Sequence, residues 1–129
     1  MVPEDLKYSA ENAWCRREGE NVVIGITANG VKALGDIIYV DLPDVDDDVL
    51  EEIPFGEIEG TLADVDLRCP VDGKVIEINS ALVNTPELLR EDPYGSGWLI
   101  KLKPDVPGSA ENLLSAADYE ALVNRKGGR

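Results

Sequence analysis

Apolar and polar residues alternate along much of this chain in short stretches punctuated by Gly and Pro, the period-two pattern of half-buried strands. Asp36–Leu42 sets Ile38, Val40 and Leu42 on one face against Ile37 and Tyr39 on the other. Asp66–Val71 groups Leu67, Cys69 and Val71, with Asp66 and Arg68 facing away. Asp72-Gly73 reads as a hairpin turn into Lys74–Asn79, where Ile76 and Ile78 oppose Val75 and Glu77. Trp98–Lys103 points Trp98, Ile100 and Leu102 inward and Lys101 and Lys103 outward, and Val22–Ile26 is a compact run rich in β-branched residues. Short strands with little unpaired edge predict a mainly β fold, either a barrel or a folded sandwich.

Three helical pieces interrupt the strands. Thr27 is placed to cap a short helix that Gly35 ends. Thr85-Pro86-Glu87 supplies a cap, a first-position proline and a first-turn acid for a brief helix through Leu89. Ser115 and Asp118 have capping-box spacing ahead of a C-terminal helix, whose stripe is Tyr119, Leu122 and Val123 and whose stop is Gly127-Gly128. Asp44–Glu52 is an acidic loop by composition, with a solvated surface the ordinary reading and a docking surface the alternative.

Composition then narrows the chemistry. The 129 residues suit one domain spanning 1–129, and 12 Lys+Arg against 26 Asp+Glu give a net charge of −14. That balance opposes nucleic-acid or anionic-membrane partners. Apolar runs such as Val22–Ile26 fall far short of the ~18 residues a membrane span needs. No targeting segment is apparent near Met1–Leu6, so a cytoplasmic location is expected. The chain has no His, which removes Ser-His-Asp and Cys-His machinery and every His-containing zinc site. Cys15 and Cys69 are too far apart in sequence for a CxxC pair and read as reduced thiols. No catalytic residue, metal site or independent enzymatic activity is expected.

One ordered set of residues goes further. Gly25-Ile26-Thr27, Leu34-Gly35-Asp36, Leu42-Pro43, Phe55-Gly56 with Glu59, and Asp66-Leu67 with Pro70-Val71 occur in sequence. They lead into Asn79 to Leu82, Pro86, Leu88, Asp92-Pro93-Tyr94-Gly95 and Gly97-Trp98. From roughly Leu6 to Leu122 the chain resembles the H protein of the glycine cleavage system. The resemblance implies a barrel-sandwich hybrid, a flattened lipoyl-domain-like β-barrel with short helices and a C-terminal helix. It also implies a carrier role: a lipoylated lysine at a hairpin tip moves an aminomethyl group between a glycine decarboxylase and an aminomethyltransferase. Those enzymes and the lipoyl-attaching enzymes are then the expected protein partners, and the hard chemistry belongs to the cofactor.

The chain departs from that family where the cofactor attaches. The family's Glu-Ser-Val-Lys-Ala is Glu59-Gly60-Thr61-Leu62-Ala63 here, so Leu62 falls at the lipoyl-lysine position. Hydrocarbon offers no amine for amide formation, and no lipoyl cofactor is expected. The family's His-Glu-Trp is Asn12-Ala13-Trp14, which removes a cleft acid, while Asp66 matches another cleft acid that remains. Glu59, Leu62 and Asp66 are therefore the candidate partner or cleft surface, on a diverged, non-lipoylated module. Lys74, beside the Asp72-Gly73 turn, is the alternative attachment point for a carrier modified elsewhere. A small molecule in the cleft, enlarged by Ala13, is the other alternative.

Overall fold

The computed structural model describes residues 2–51 and 53–127; Glu52, the last residue of the expected acidic loop, and Gly128 of the expected helix stop lie outside them. In chain order the elements are β1 (Lys7–Tyr8), β2 (Ala13–Glu18), β3 (Asn21–Ile26), α1 (Ala28–Lys32), β4 (Ile37–Asp41) and β5 (Asp48–Val49). There follow β6 (Gly56–Gly60), β7 (Asp64–Leu67), β8 (Gly73–Ile78), α2 (Ala81–Asn84), α3 (Leu88–Glu91) and β9 (Ile100–Pro104). A 3-10 turn over Ser109–Asn112 precedes α4 (Ala116–Gly127). The strands form two antiparallel sheets, ordered β1-β2-β3-β9-β8-β5 and β4-β6-β7. The ladders do not close on one another, so the architecture is the folded sandwich rather than a closed barrel.

The apolar run of β3 has a two-sided burial. Val22, Ile24 and Ile26 join Ile58, Val75, Ile100 and Leu102 in the main core. Val23 faces the other way, into a second cluster with Leu6, Tyr8, Trp14 and Tyr119 beneath α4. A strand buried on both faces has no polar side to alternate with, which is why this stretch reads as continuous apolar sequence. The C-terminal helix forms as its cap predicts: Ser115 Oγ accepts from Asp118 N at 3.2 Å, and Tyr119 is buried and stacked on Tyr8 at 4.8 Å. Thr27 caps α1 by accepting from Gly30 N at 3.1 Å.

Several expectations are corrected. Asp72-Gly73 does not turn a hairpin: β7 pairs with β6, whereas β8 lies in the other sheet between β5 and β9. The connection is held from outside, because Asp72 Oδ1 accepts from Glu51 N at 2.8 Å and Asp72 O accepts from Asp105 N at 3.0 Å. Bulges between Ile37 and Tyr39 and between Val75 and Glu77 break the simple alternation. They leave Ile38 and Tyr39 both exposed in β4 and turn Ile76 outward in β8. The acidic loop contains β5, whose Asp48 and Val49 pair with Lys74 and Gly73. Thr85-Pro86-Glu87 forms a turn, with Leu88 N donating to Thr85 O at 3.2 Å, and α3 starts after it at Leu88.

Candidate functional site

Strands β6 and β7 reverse through Thr61 and Leu62, closed by Gly60 N donating to Ala63 O at 3.0 Å. Leu62 sits at this tip with 76% of its surface exposed. The tip is nevertheless tied down. Thr61 N donates to Asp36 O and Leu62 N to Leu34 O, both at 2.9 Å, while Thr61 Oγ1 accepts from Asp36 N at 3.0 Å. Such close approach requires Gly35: a Cβ there would lie 2.5 Å from Thr61 Oγ1 and 2.7 Å from Leu62 Cγ, and its φ is +76°. Arg90 of α3 braces the segment through an ion pair with Asp36 and another with Glu87 at 3.6 Å, and Glu87 Oε1 accepts from Ile37 N at 2.9 Å. Backbone bonds thus fix where the Leu62 side chain is offered, and its stem lies against Gly35.

Glu59 and Asp66 occupy the outer face of the same small sheet. Register places Asp41, Glu57 and Asp66 in one cross-strand row, and Tyr39, Glu59 and Asp64 in the next. Glu57, Asp41, Asp64 and Asp66 are exposed and Glu59 half-buried. Like charges directly opposed across strands are unfavourable, so this face is electrostatically unsettled by itself.

On the other side of β7 lies the cleft that Asp66 and Ala13 border, together with Glu11, Val65 and Arg68. It measures about 20 Å³, the room of a water rather than of a metabolite. Ala13 is buried, and Arg68 Nε stands 3.8 Å from Glu11 Oε2 across the opening. The replacement of an acid by Ala13 therefore leaves no ligand-sized space, which removes the support for a small molecule there. Asn12, at φ +69°, anchors this wall. Its Oδ1 accepts from Tyr119 OH and from Asn29 Nδ2, and Tyr119 OH lies 2.7 Å from Thr27 Oγ1. Because the amide oxygen can only accept, the phenol donates to Asn12 and receives the Thr27 proton. Burial raises the Tyr119 phenol above its ordinary range and keeps it protonated. This network joins residues up to 107 positions apart, and no local signal marks it.

The remaining candidates fall elsewhere. Lys74 is exposed, but it stands within β8, between Asp48 and Lys103, rather than at a tip. Cys15 and Cys69 are both buried as free thiols, and desolvation pushes each from 9.0 to about 12. Trp14 is core, its indole donating to Pro93 O at 2.9 Å, and Trp98 is half-buried under the Lys101 ammonium. Among the described residues no group of three or more His, Cys, Asp or Glu could hold a metal ion, and no helix is long and apolar enough to cross a membrane.

Fold and tip together define a two-sheet domain with an exposed leucine on a braced hairpin. The family model described as Glycine cleavage H-protein matches residues 6–126. The chain is 46% identical over 125 residues to the glycine cleavage system H protein of Anaeromyxobacter sp. (strain K), covering 97% of this chain and 98% of that one. It is 43% identical over 127 residues to that of Carboxydothermus hydrogenoformans, covering 98% of each. A crystal structure of a glycine cleavage system H protein from Mycobacterium marinum matches with a TM-score of 0.84 and 35% identity, over 99% of this chain and 100% of that one. The chain belongs to the glycine cleavage H-protein family, a family of non-catalytic components.

Proposed function

We propose that this chain is a non-lipoylated H-protein-like module that acts as one unit across residues 1–129. In the cytoplasm it docks to glycine cleavage or lipoyl-attaching enzymes and regulates them. The observation that carries the reading is Leu62, an exposed side chain on a pinned hairpin tip, at the position the resemblance gives to the lipoyl lysine. The residues present do not fit the cofactor, since a leucine has no nitrogen to acylate. The acids beside the tip support docking, because a basic partner surface relieves their mutual repulsion. Lys74 offers weaker support for a rearranged carrier, being set mid-sheet next to a second lysine.

Intact-mass analysis of the protein from its own host, with lipoylation shown to be active on another protein there, tests the first half. The expected mass is unmodified, and a lipoyl adduct at Lys74 or elsewhere overturns the reading. Titration against the purified aminomethyltransferase, glycine decarboxylase and lipoyl-attaching enzyme of the same cell tests the second. Binding to at least one of them, weakened by Leu62→Ala, is expected; absence of binding to all three overturns the docking role.

A further inference from the structure

Residues 44–51 lie as a strap along the edge of β8, with β5 in its middle. The hold on the sheet is short. Asp48 and Val49 pair with Lys74 and Gly73, Asp46 N donates to Val75 O at 2.8 Å, and Val75 N donates to Asp47 O at 2.9 Å. Glu51 N, donating to Asp72 Oδ1 at 2.8 Å, ties the far end. Within the strap only Val49 is buried; the other residues, Val45 and Leu50 included, are exposed. A segment with one apolar anchor opens at far less cost than the core beneath it.

The strap is also loaded against closure. Asp44, Asp46, Asp47, Asp48 and Glu51 crowd their carboxylates into it, on a chain of net charge −14. Its far end bonds to a further acid, Asp72. Asp46 takes φ +78°, a left-handed conformation that is costly for a residue with a side chain. Against this stand Lys74, the cross-strand partner of Asp48, and Lys103, one strand further on. Among the described residues neither lysine forms an ion pair with a strap acid. The acids are neighbours along the chain, so repulsion within the strap outweighs the pull of the two lysines.

We propose that this strap is a charge-controlled latch on the edge of the six-stranded sheet: its own carboxylates favour opening, and neutralising them locks it over β8. When the latch opens, Val75 loses both backbone partners on that side and the sheet gains a free edge, the feature to which strands of other chains add. Closing removes that edge. The latch is separate from the Leu62 tip and does not depend on the docking role.

Val75 N donates to the strap, so its exchange with solvent deuterium reads the latch. Leu99 N, on a buried residue beside β9 and bonded to Ile24 O at 2.8 Å, reads the core. The test is NMR-detected hydrogen exchange on the full chain at neutral pH, each rate corrected by that of an unstructured peptide of the same sequence in the same salt. Val75 should exchange at least about tenfold faster than Leu99, as a local opening does. Raising NaCl from about 20 to about 500 mM shortens the Debye length severalfold and should slow Val75 about threefold relative to Leu99. The double variant Asp46→Asn with Asp47→Asn keeps the side-chain shapes, and asparagine tolerates positive φ. It should slow Val75 by a similar factor in low salt and flatten the salt response. Exchange of Val75 at the Leu99 rate overturns the proposal, because the edge then opens only with the core. So does a salt effect that is absent, reversed or equal at the two amides, or an unchanged Val75 rate in the double variant.

Discussion

On the outer side of the six-stranded sheet, Lys101 Nζ lies 3.2 Å from Glu18 and 3.6 Å from Glu77, and Asp48 is the cross-strand partner of Lys74. Lys74 opposes Lys103 there, but Asp48 on its other side offsets the repulsion. On the outer side of the three-stranded sheet, Glu57 stands between Asp41 and Asp66, and Glu59 opposes Asp64. The larger sheet pairs Lys101 with carboxylates of its own strands. The smaller one leaves its charge to solvent and to whatever approaches the tip. Both rest on one shared core, so the contrast concerns surfaces alone. Stability is the business of the interior, while the small sheet's face is free to serve recognition.

The comparison can be broken most forcefully in the core. Leu102→Ala under the large sheet and Ile58→Ala under the small one should each cost about 2–5 kcal/mol in urea unfolding, since both side chains are fully buried in the same cluster. A much smaller loss at Ile58 would mean that the small sheet is only loosely attached. The two thiols sharpen the point, because Cys15 lies in β2 and Cys69 lies just beyond β7. With each raised from 9.0 to about 12 by burial, the folded state keeps its thiol protons while the unfolded state releases them above pH 9. The unfolded state then binds fewer protons, so stability is fully present below pH 9 and falls as pH rises toward 12. Native protein at pH 8 should resist a thiol-reactive disulfide reagent, and denatured protein should react with two equivalents.

At the surface the effects are smaller and reverse in sign. Glu57→Lys turns two like-charged contacts into opposite ones and should stabilise the fold by about 0.5–1 kcal/mol. Thermal unfolding in low and high salt checks it, because the gain should shrink as the charges are screened. Smallest of all, Leu62→Ala should change stability by less than about 0.5 kcal/mol, the range for exposed positions. A larger destabilisation would show that the tip leucine serves the fold rather than a partner.

The elements that the sequence revealed are those whose causes are local. Thr27 and Ser115 cap helices through bonds to residues three positions away, and the β3 run announces a buried strand whatever surrounds it. The Asp72-Gly73 turn misled because its local preference is overridden by Glu51 and Asp105, which reach it from distant segments. Bulges in β4 and β8 likewise depend on the opposing strand and leave no mark in their own sequence. Leu62 was found by resemblance, yet its bracing by Leu34, Gly35 and Asp36 could not be read from the hairpin's own residues. The Glu11–Arg68 pair and the Asn12–Tyr119 bond join segments that only the fold brings together.

The cap of α1 has one more consequence, for the durability of the chain. Asn29-Gly30 is the dipeptide most prone to spontaneous deamidation, in which the glycine nitrogen attacks the asparagine carboxamide and closes a succinimide. Here Gly30 N is engaged by Thr27 Oγ1 at 3.1 Å, and Asn29 Nδ2 is held by Asn12 Oδ1 at 3.3 Å. A Cβ at Gly30 would lie 2.8 Å from both Asn12 Cβ and Ile26 Cγ1, so this turn has little room to bend into the cyclic intermediate. The threonine that starts the helix also slows its ageing, and isoaspartate should accumulate at position 29 faster in Thr27→Val than in the parent chain.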